Sequence, residues 1–305
     1  MRVVVAGGQG YIGSRLCRRL LGMGVSVLPL SRRAGGSGAA QPLDLAKPSE
    51  ALIPMLRDFR PDAVVNCAGT TSTEVRECVE AHAVVTANLL AAVARAAPGS
   101  RLIQLGSAAE YGQAVEPPLL LREDTPPMPR GAYAVSKLAS TLLSVCHGPG
   151  LGLECIALRV FNLIGVDMAP GTIIPNLMRI LRDPALRPED PVELGRIDVY
   201  RDFVHVDDVV AAIVRAIEVP SIENGAIINV ASGEAVMVRE LVRRILDAAG
   251  HRGEIREVAP GTGRSVGVTW QSGDIGRARN LLGWVPRKTL AEAVTELVRS
   301  NSRAP

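Results

Sequence analysis

The sequence predicts an α/β protein built on a doubly wound parallel sheet. Short apolar runs of strand length alternate with longer segments of helical period through the first half of the chain. A glycine-rich turn, Gly7–Gly13, directly follows the first apolar run. Strands separated by helical segments pair in parallel, and a glycine turn between strand and helix is typical of Rossmann-type folds. We therefore expect a Rossmann-type sheet covered by helices, with a smaller C-terminal lobe interleaved with it.

Six apolar runs each have the length of one buried strand. They are Arg2–Ala6, Ser26–Leu30, Ala63–Asn66, Arg101–Leu105, Glu154–Leu158 and Ala226–Val230. Six segments have helical period. They are Tyr11–Gly22, Ser49–Phe59, Thr73–Ala97, Tyr133–Cys146, Asp207–Glu218 and Val236–Ala249.

The alternation loosens after about residue 160, where proline and glycine cluster. Residues 1–165 are predicted to form a dinucleotide-binding domain. Residues 203–230 are predicted to return to it, because Ala226–Val230 is apolar like a buried strand of the main sheet. Residues 166–202 and 231–305 should form the smaller, substrate-binding lobe. The Pro-rich stretch from Glu116 to Pro129 is long for a compact domain and predicts a mobile, functional loop.

The composition excludes a disordered protein. Of 305 residues, 47% are hydrophobic and 21% charged, with a net charge of +3. Basic residues form no run that could follow a phosphate backbone, and aromatic residues make up 3%, so we expect no nucleic-acid partner. No unbroken apolar run reaches the ~18 residues of a membrane span, and the apolar residues before the first glycines are too few for a signal-peptide core.

The cysteines and histidines point to neither disulfides nor a metal. The five cysteines include no CxxC pair, and the four histidines have no spacing suited to a metal. We therefore expect reduced thiols, a cytoplasmic protein and no metal site.

The glycine turn has the features of a site for the diphosphate of a dinucleotide. Gly7 permits the tight turn, Gly10 lets a diphosphate approach the backbone, and Gly13 lets helix and strand pack closely. The helix that begins with Tyr11 and Ile12 presents N–H groups and its positive dipole end to an anion. A glycine-rich loop without a ligand is the alternative, but strand, turn and helix follow in the order that such sites require.

Tyr133 and Lys137 are four residues apart and therefore share one face of a predicted helix. An ammonium beside a phenol favours the phenolate, which lets the tyrosine exchange a proton with a carbonyl or carbinol. Ser107 follows a strand at the carboxyl edge of the sheet, where its hydroxyl can polarise the same carbonyl. A surface pair is the alternative, but with four tyrosines and three lysines in the chain, coincidence is a poor explanation.

These motifs together resemble the extended short-chain dehydrogenase/reductase family, also called the NAD-dependent epimerase/dehydratase family. The spacing GxxGxxG and the set Ser107, Tyr133 and Lys137 carry the resemblance. Landmarks of the nucleotide-sugar branch extend it over nearly the whole chain: Arg159–Gly165, Tyr200–Asp208, Asn229–Gly233 and Leu282–Pro286. The resemblance implies a Ser-Tyr-Lys catalytic set, a nucleotide-diphosphate sugar as substrate and a homodimer.

The resemblance also implies further binding residues. Asp44 and Leu45 would contact the adenine of the cofactor, and Ala68 and Gly69 would complete the cofactor groove. On the substrate side the implied residues are Ala108, Ala109, Tyr111, Asn162, Arg201 and Arg264. Several have structural alternatives: Tyr111 as packing, Asn162 as a loop cap, Arg201 paired with Asp202 or Asp207, and Arg264 solvated.

The end of the second strand favours NADP over NAD. NAD-binding sites have a carboxylate there that accepts a hydrogen bond from the ribose 2′-hydroxyl. This chain has Ser31, Arg32 and Arg33, and a hydroxyl and a guanidinium suit a 2′-phosphate. A solvated arginine pair is the alternative, and NAD remains possible.

The residues after Ser107 separate the reactions of the family. A 4,6-dehydratase carries Asp and Glu where this chain has Ala108 and Ala109, and a 3,5-epimerising reductase carries a cysteine in place of Ala109. A methyl group cannot move a proton, so both reactions are disfavoured. Hydride transfer alone remains, as reduction of a keto-sugar or as 4-epimerisation with tightly bound NAD. The chain most resembles the nucleotide-diphospho-4-keto-6-deoxyhexose reductases, and a non-catalytic NADP sensor is a third possibility.

Overall fold

The computed structural model describes residues 1–32, 40–48, 50–113, 115–168, 170–259 and 267–301. Within these ranges, the largest sheet is parallel and has seven strands. The strands are β1 Arg2–Ala6, β2 Ser26–Ser31, β3 Gln41–Pro42, β4 Ala63–Asn66, β5 Arg101–Ser107, β6 Glu154–Val160, β7 Asn162–Ile164, β8 Val192–Gly195, β9 Tyr200–His205, β10 Ala226–Val230, β11 Ala235–Met237 and β12 Ile255–Ala259. In the large sheet the order is β10-β6-β5-β4-β1-β2-β3, and every pairing is parallel. The Rossmann-type α/β fold predicted from the sequence is confirmed, because the strand order reverses between β1 and β4.

The helices are α1 Tyr11–Gly22, α2 Leu52–Phe59, α3 Val75–Val79, α4 Val85–Ala96, α5 Gly131–Leu142, α6 Ile173–Ile180, α7 Val206–Glu218, α8 Val238–Ala248, α9 Gly276–Leu282 and α10 Leu290–Asn301. All six predicted helical segments contain helix, with α1 at its predicted bounds and the others differing at their ends, whereas α6, α9 and α10 lie outside the predicted segments. The helix predicted over Thr73–Ala97 is divided by a π turn at Glu80–Val84, and α5 continues into a second π turn at Leu143–His147. Such turns insert one extra residue into a helix and are frequent at functional sites.

Both faces of the large sheet are covered, which explains why its strands are apolar throughout rather than alternating. Alternate residues of β1 point to opposite faces: Val3 and Val5 lie in one core and Val4 lies in another. Helices α1 and α7 cover the first face, and α2 and α4 cover the second. The helical residues buried there are Leu16, Leu20, Val209 and Ile213 on the first face, and Leu52, Leu56, Leu89 and Val93 on the second.

The stretch Val75–Ala96 is long and apolar enough to cross a membrane by length and mean hydropathy, although charged residues interrupt it. Its most apolar window is 44% buried. Val85, Leu89 and Val93 pack in the core on the second face of the large sheet. Packing within the protein therefore accounts for the apolar side chains of the α4 part of this stretch, whereas Val75 and Val79 of α3 are exposed.

A second sheet and a separate core lie in the C-terminal part. Strand β9 is central, with β7 parallel on one side and β11 antiparallel on the other, and β8 pairs in parallel with β12. The side chains buried there include Leu177, Val192, Leu241, Ile245 and Leu297.

Two elements between β9 and β11 return to the large sheet. Helix α7 packs against α1, and β10 pairs in parallel with β6. Strand β7, by contrast, joins the second sheet although it precedes the boundary predicted at residue 165. The division into a dinucleotide-binding domain and a substrate-binding lobe remains a prediction.

The stretch from Glu116 to Pro129, expected to be mobile, is anchored at its centre. The Leu121 side chain is fully buried. Its N–H donates to the Ser272 carbonyl at 2.7 Å, and its carbonyl accepts the Asp274 N–H at 2.9 Å. These bonds connect the loop to the segment after β12.

We predict that Gly13→Ala destabilises the protein by about 2 kcal/mol, because overpacking a tight backbone contact forces the chain to shift. A Cβ at Gly13 would collide with the Gly7 carbonyl oxygen, whereas one at Gly22 in the same helix would meet nothing within 4 Å. Gly22→Ala is therefore the control and should stabilise the protein by roughly 0.5 kcal/mol. Urea unfolding of the two variants measures both changes, and equal stabilities would contradict the prediction.

Candidate active site

Three groups of residues with predicted functions lie at the carboxyl ends of three neighbouring strands, β1, β4 and β5. The turn Gly7–Gly13 follows β1, residues 67–69 follow β4, and Ser107 is the last residue of β5. Doubly wound sheets bind their ligands at this edge, beside the point where the strand order reverses. That point lies between β1 and β4 in this protein.

The glycine turn brings two backbone segments into close contact. Gly7 has a φ of +73°, and a Cβ there would lie 2.7 Å from the Ala68 nitrogen, so only glycine fits. The Gly10 N–H closes the turn by donating to the Gly7 carbonyl at 2.8 Å. Among the described residues, no side chain caps α1, and its first turn has no acidic residue. The positive end of the α1 dipole is therefore available to an anion such as a diphosphate.

The end of β2 places polar groups beside the glycine turn. The Ser31 hydroxyl donates to the Gln9 Oε1 at 3.0 Å. The Gln9 Nε2 is buried, and within the described ranges it has no hydrogen-bond partner. Arg32 follows and is exposed, while Arg33 lies outside the described residues. This corner of the site therefore offers donors and a positive charge, which suit a phosphate.

The other residues predicted to hold the cofactor differ in their surroundings. Burial raises the pKa of Tyr11, whose hydroxyl has no partner in the described part of the chain. The Arg15 guanidinium lies over the Tyr11 ring, 4.3 Å from its centroid. Ile12 packs against the first core and Leu45 is buried in the second, while the Asp44 carboxylate accepts a backbone N–H two residues along the chain.

The three predicted catalytic residues lie on β5 and on the helix packed against it. The Lys137 ammonium is buried and donates to the Leu105 carbonyl at 2.7 Å, which joins α5 to β5. Tyr133 precedes Lys137 by one turn on the same helix, and its side chain is half-buried. The Ser107 Oγ accepts the Ala109 N–H at 3.2 Å and so begins a short 3-10 helix, Ala108–Tyr111.

His82 is a contact of Tyr133 that the sequence analysis did not single out. The two rings meet edge to face, with centroids 5.4 Å apart and planes at 85°. Burial, together with the charge of Lys137, lowers the pKa of His82 to about 3. The only sequence signal for it is a histidine within a predicted helix that is rich in alanine and valine.

Comparison with known proteins identifies the family. The model of the NAD dependent epimerase/dehydratase family matches residues 3–231. The chain belongs to this family. The match begins in β1 and ends just after β10, so it includes the glycine turn, Ser107, Tyr133 and Lys137.

Named members of the family are similar over nearly the whole chain. The dTDP-6-deoxy-L-talose 4-dehydrogenase (NAD(P)(+)) of Kitasatospora kifunensis is 35% identical over 100% of this chain and 96% of its own length. The GDP-6-deoxy-D-mannose reductase of Pseudomonas aeruginosa is 30% identical over 97% and 96%, and the UDP-glucose 4-epimerase of Azospirillum brasilense is 30% identical over 99% and 92%.

A solved structure agrees with this assignment. RMD from Pseudomonas aeruginosa complexed with NADPH superimposes with a TM-score of 0.83 at 29% identity, over 99% of both chains. The protein is therefore an NAD(P)-dependent enzyme that modifies nucleotide sugars.

The residue that follows Ser107 is fixed by a hydrogen bond to a distant segment of the chain. Ala108 is buried, and its carbonyl accepts the Gln271 Nε2 at 3.1 Å. The Asn162 Nδ2 donates to the Gln271 Oε1 and to the Asp202 carbonyl, each at 3.0 Å. Gln271 is a second residue that the sequence analysis missed, because no motif marks it.

Tyr111 packs in the protein interior. Its side chain is fully buried, and its hydroxyl donates to the Asn229 Oδ1 at 2.8 Å. Burial raises the pKa of Tyr111 to about 12. This burial favours the packing alternative for Tyr111 over a place in the sugar pocket.

Arg201 is buried without a carboxylate partner among the described residues. Its guanidinium donates to the Tyr200 carbonyl at 2.7 Å and to the Val268 carbonyl at 2.9 Å. Burial, together with Arg196, lowers the pKa of Arg201 to about 10. The neighbouring Asp202 carboxylate instead accepts N–H groups of Ser232, Gly233 and Gly273. The structural alternative in which Arg201 pairs with Asp202 or Asp207 is therefore not observed, and Arg264 lies outside the described residues.

A buried ion pair underlies the loop that carries Ser107. Glu110 is fully buried, and its Oε2 accepts the Arg159 Nε at 2.8 Å. Its Oε1 accepts the Ser107 N–H at 2.7 Å and the Thr141 hydroxyl at 2.9 Å. The carboxylate therefore connects β5, β6 and α5 directly beneath the catalytic serine.

We predict that Glu110→Gln lowers the free energy of unfolding by about 3–5 kcal/mol, because it leaves the Arg159 guanidinium buried without a counter-charge. The double variant Glu110→Gln/Arg159→Met should lose less than the sum of the single changes. Urea unfolding measures these values. Glu80→Gln, which breaks the exposed pair of Arg76 and Glu80, is the control and should change stability little. A similarly small effect of Glu110→Gln would contradict the prediction.

Proposed function

We propose that the enzyme reduces the keto group of a nucleotide-linked 4-keto-6-deoxyhexose with NADPH. The observation that carries this proposal is the end of β5. Ser107 lies there beside α5 with Tyr133 and Lys137, while Ala108 and Ala109 supply no group that could move a ring proton. The similarity to a GDP-6-deoxy-D-mannose reductase and to a dTDP-6-deoxy-L-talose 4-dehydrogenase supports it.

The residues present fit a dinucleotide. The glycine turn has no room for a side chain at Gly7, and α1 begins uncapped among the described residues. The Gln9 amide and the Tyr11 hydroxyl are buried donors without partners there. The residues that would hold NADPH are Gly7, Gly10, Tyr11, Ile12, Gly13, Ser31, Arg32, Asp44, Leu45, Ala68, Gly69, Tyr133 and Lys137.

Each catalytic side chain has one task in this proposal. Bound NADPH supplies the hydride that reaches the carbonyl carbon. The Tyr133 hydroxyl donates a proton to the carbonyl oxygen, and the Ser107 hydroxyl donates a hydrogen bond to the same oxygen. The Lys137 ammonium gives one hydrogen to the Leu105 carbonyl and retains two, for the phenolate formed at Tyr133 and for a ribose hydroxyl.

The substrate's charged and polar parts would lie toward the second sheet. A buried guanidinium whose only described partners are carbonyls is suited to bind a diphosphate, so we assign this role to Arg201. Asn162, Ala108 and Ala109 would contact the nucleoside or the sugar, and Arg264 would contribute a further charge.

A 4-epimerase with tightly bound NAD is the second candidate, because a UDP-glucose 4-epimerase is also 30% identical. It would use the same three catalytic residues. The exposed Arg32 at the end of β2 favours the reductase, because only NADPH presents a phosphate there. A non-catalytic NADP sensor is less favoured, because it would have no need of Ser107, Tyr133 and Lys137 together.

We further propose a cytoplasmic homodimer with neither a membrane nor a nucleic acid as partner. Helices α3 and α5 pack against each other. Together they expose Val75, Val79, Val135 and Leu142. Two copies of such a helix pair can join in a four-helix interface.

Tyr133→Phe should reduce turnover of the keto-sugar to near background and leave NADPH affinity nearly unchanged, because it removes the proton donor and little of the binding surface. Lys137→Met should impair both turnover and NADPH binding. Steady-state kinetics and fluorescence titration with NADPH measure the two properties. Retention of most of the rate in Tyr133→Phe would mean that another acid donates the proton.

Arg32→Ala should weaken NADPH binding by about 1.5–3 kcal/mol, the contribution of a charged hydrogen bond, and should change NADH binding much less. Calorimetric titration with both cofactors measures this difference. Arg18→Ala removes an exposed arginine from α1 and should affect neither cofactor. Equal weakening of NADPH and NADH by Arg32→Ala would show that Arg32 does not bind the 2′-phosphate.

Turnover in heavy water tests the reaction type. Mass spectrometry of the product should detect no deuterium at C3 or C5, because no base lies at positions 108 or 109. NADPH deuterated on the transferred position should label C4 instead. Ring deuterium from solvent would reveal a base, and copurification of stoichiometric NAD would support the 4-epimerase.

A further inference from the structure

The ring of His82 is enclosed between the cofactor groove and the catalytic helix. His82 lies in the π turn between α3 and α4 and is 2% exposed. On one side is the segment after β4: a Cβ on Gly69 would lie 3.2 Å from the His82 Nε2. On the other side is the N-terminal half of α5, which carries Tyr133 and Ser136. The imidazole therefore bridges two parts of the proposed active site.

The hydrogen bonds of His82 define its tautomer. The Thr70 N–H donates to the Nε2 at 3.3 Å, so Nε2 carries no proton. The Nδ1 then carries the proton and donates to the Ser136 Oγ at 2.8 Å, and the Ser136 hydroxyl donates to the Tyr133 carbonyl at 3.0 Å. A continuous chain of hydrogen bonds thus runs from the Thr70 N–H through His82 and Ser136 to the Tyr133 carbonyl, and each group donates to the next.

The second contact with Tyr133 is through its ring. The planes of the imidazole and the phenol meet at 85°, and the ring centroids are 5.4 Å apart, which is a favourable edge-to-face arrangement. Rotation of the phenol about its Cβ–Cγ bond would lose this contact. His82 therefore restrains both the backbone and the ring of the proposed proton donor.

The surroundings favour a neutral imidazole. A proton on Nε2 would point at the Thr70 N–H, and the resulting cation would lie near the buried ammonium of Lys137. The other titratable groups at this place are the Tyr133 phenol and the Cys78 thiol, which contacts Ser136. None of these groups supplies a negative counter-charge while Tyr133 is protonated.

We propose that His82 is a positioning residue for Tyr133. The neutral imidazole of His82 joins the loop after β4 to α5 and holds the Tyr133 phenol in its reactive orientation. The proposal rests on the role of Tyr133 as proton donor. His82 itself transfers no proton to the substrate.

Two variants separate its two contacts. His82→Phe retains an aromatic edge but removes both hydrogen bonds, whereas His82→Gln retains hydrogen-bonding groups but removes the ring. Each should lower kcat per NADPH-binding site about tenfold or more, because a misplaced reacting group slows proton transfer, and should change KM for the sugar less than threefold. The solvent deuterium isotope effect on kcat should rise as proton transfer becomes slower. His147→Gln, at an exposed histidine in the other π turn, is the matched control and should behave as the wild type.

A purely structural role predicts a different result. Activity would then fall only in proportion to the number of intact NADPH-binding sites, with an unchanged isotope effect. That outcome, or wild-type kcat in both variants, would overturn the proposal.

A measurement without substrate distinguishes failure of this inference from failure of the proposed function. If the wild type reduces no keto-sugar, the proposed function fails, but the state of His82 can still be determined by nitrogen-15 NMR of the ring. The expected result is the Nδ1–H tautomer from pH 5 to pH 8, with proton contacts between the His82 and Tyr133 rings. An imidazolium, an Nε2–H tautomer or the absence of ring contacts would contradict the positioning role even if the variants do not fold.

Discussion

The hydrogen bond from the Lys137 ammonium to the Leu105 carbonyl joins the catalytic helix to the edge of the large sheet. A buried ammonium is costly without a hydrogen-bond partner, so this contact restricts how α5 can lie against β5. Tyr133 is one turn earlier on the same helix face, and Ser107 ends the strand to which Leu105 belongs. The relative positions of the three proposed catalytic residues therefore depend on this contact, together with the Glu110 carboxylate that also joins β5 and α5.

Two buried carboxylates have their oxygens engaged by hydrogen-bond donors beside the candidate site. Glu110 accepts hydrogen bonds from Arg159, Thr141 and the backbone of Ser107, and Asp202 accepts them from three backbone N–H groups. Their oxygens are occupied by donors within the protein. This arrangement agrees with a reaction that requires a hydride and one proton but no additional base at the sugar ring.

The two sheets contribute different parts of the site. The large sheet carries the glycine turn, the segment after β4 and Ser107, all at its carboxyl edge. The second sheet carries Arg201 on β9 and Asn162 on β7. Gln271 connects the two, because it bonds both Asn162 and the Ala108 carbonyl. In the function proposed above, the substrate would contact both sheets, with its sugar near Ser107 and its charged groups near Arg201.

The sequence by itself determined the fold and the chemistry-bearing motifs, because both depend on local patterns. Strands β1, β4 and β10 coincide with their predicted bounds, since a strand buried on both faces is a continuous apolar run. The spacing of Tyr133 and Lys137 is likewise a property of one helix. The tertiary structure decided which distant groups meet: Tyr111 with Asn229, Arg201 with the Val268 carbonyl, and His82 with Ser136, which is 54 residues away. Such contacts arise from how separate elements pack, and no period or spacing in the chain encodes them.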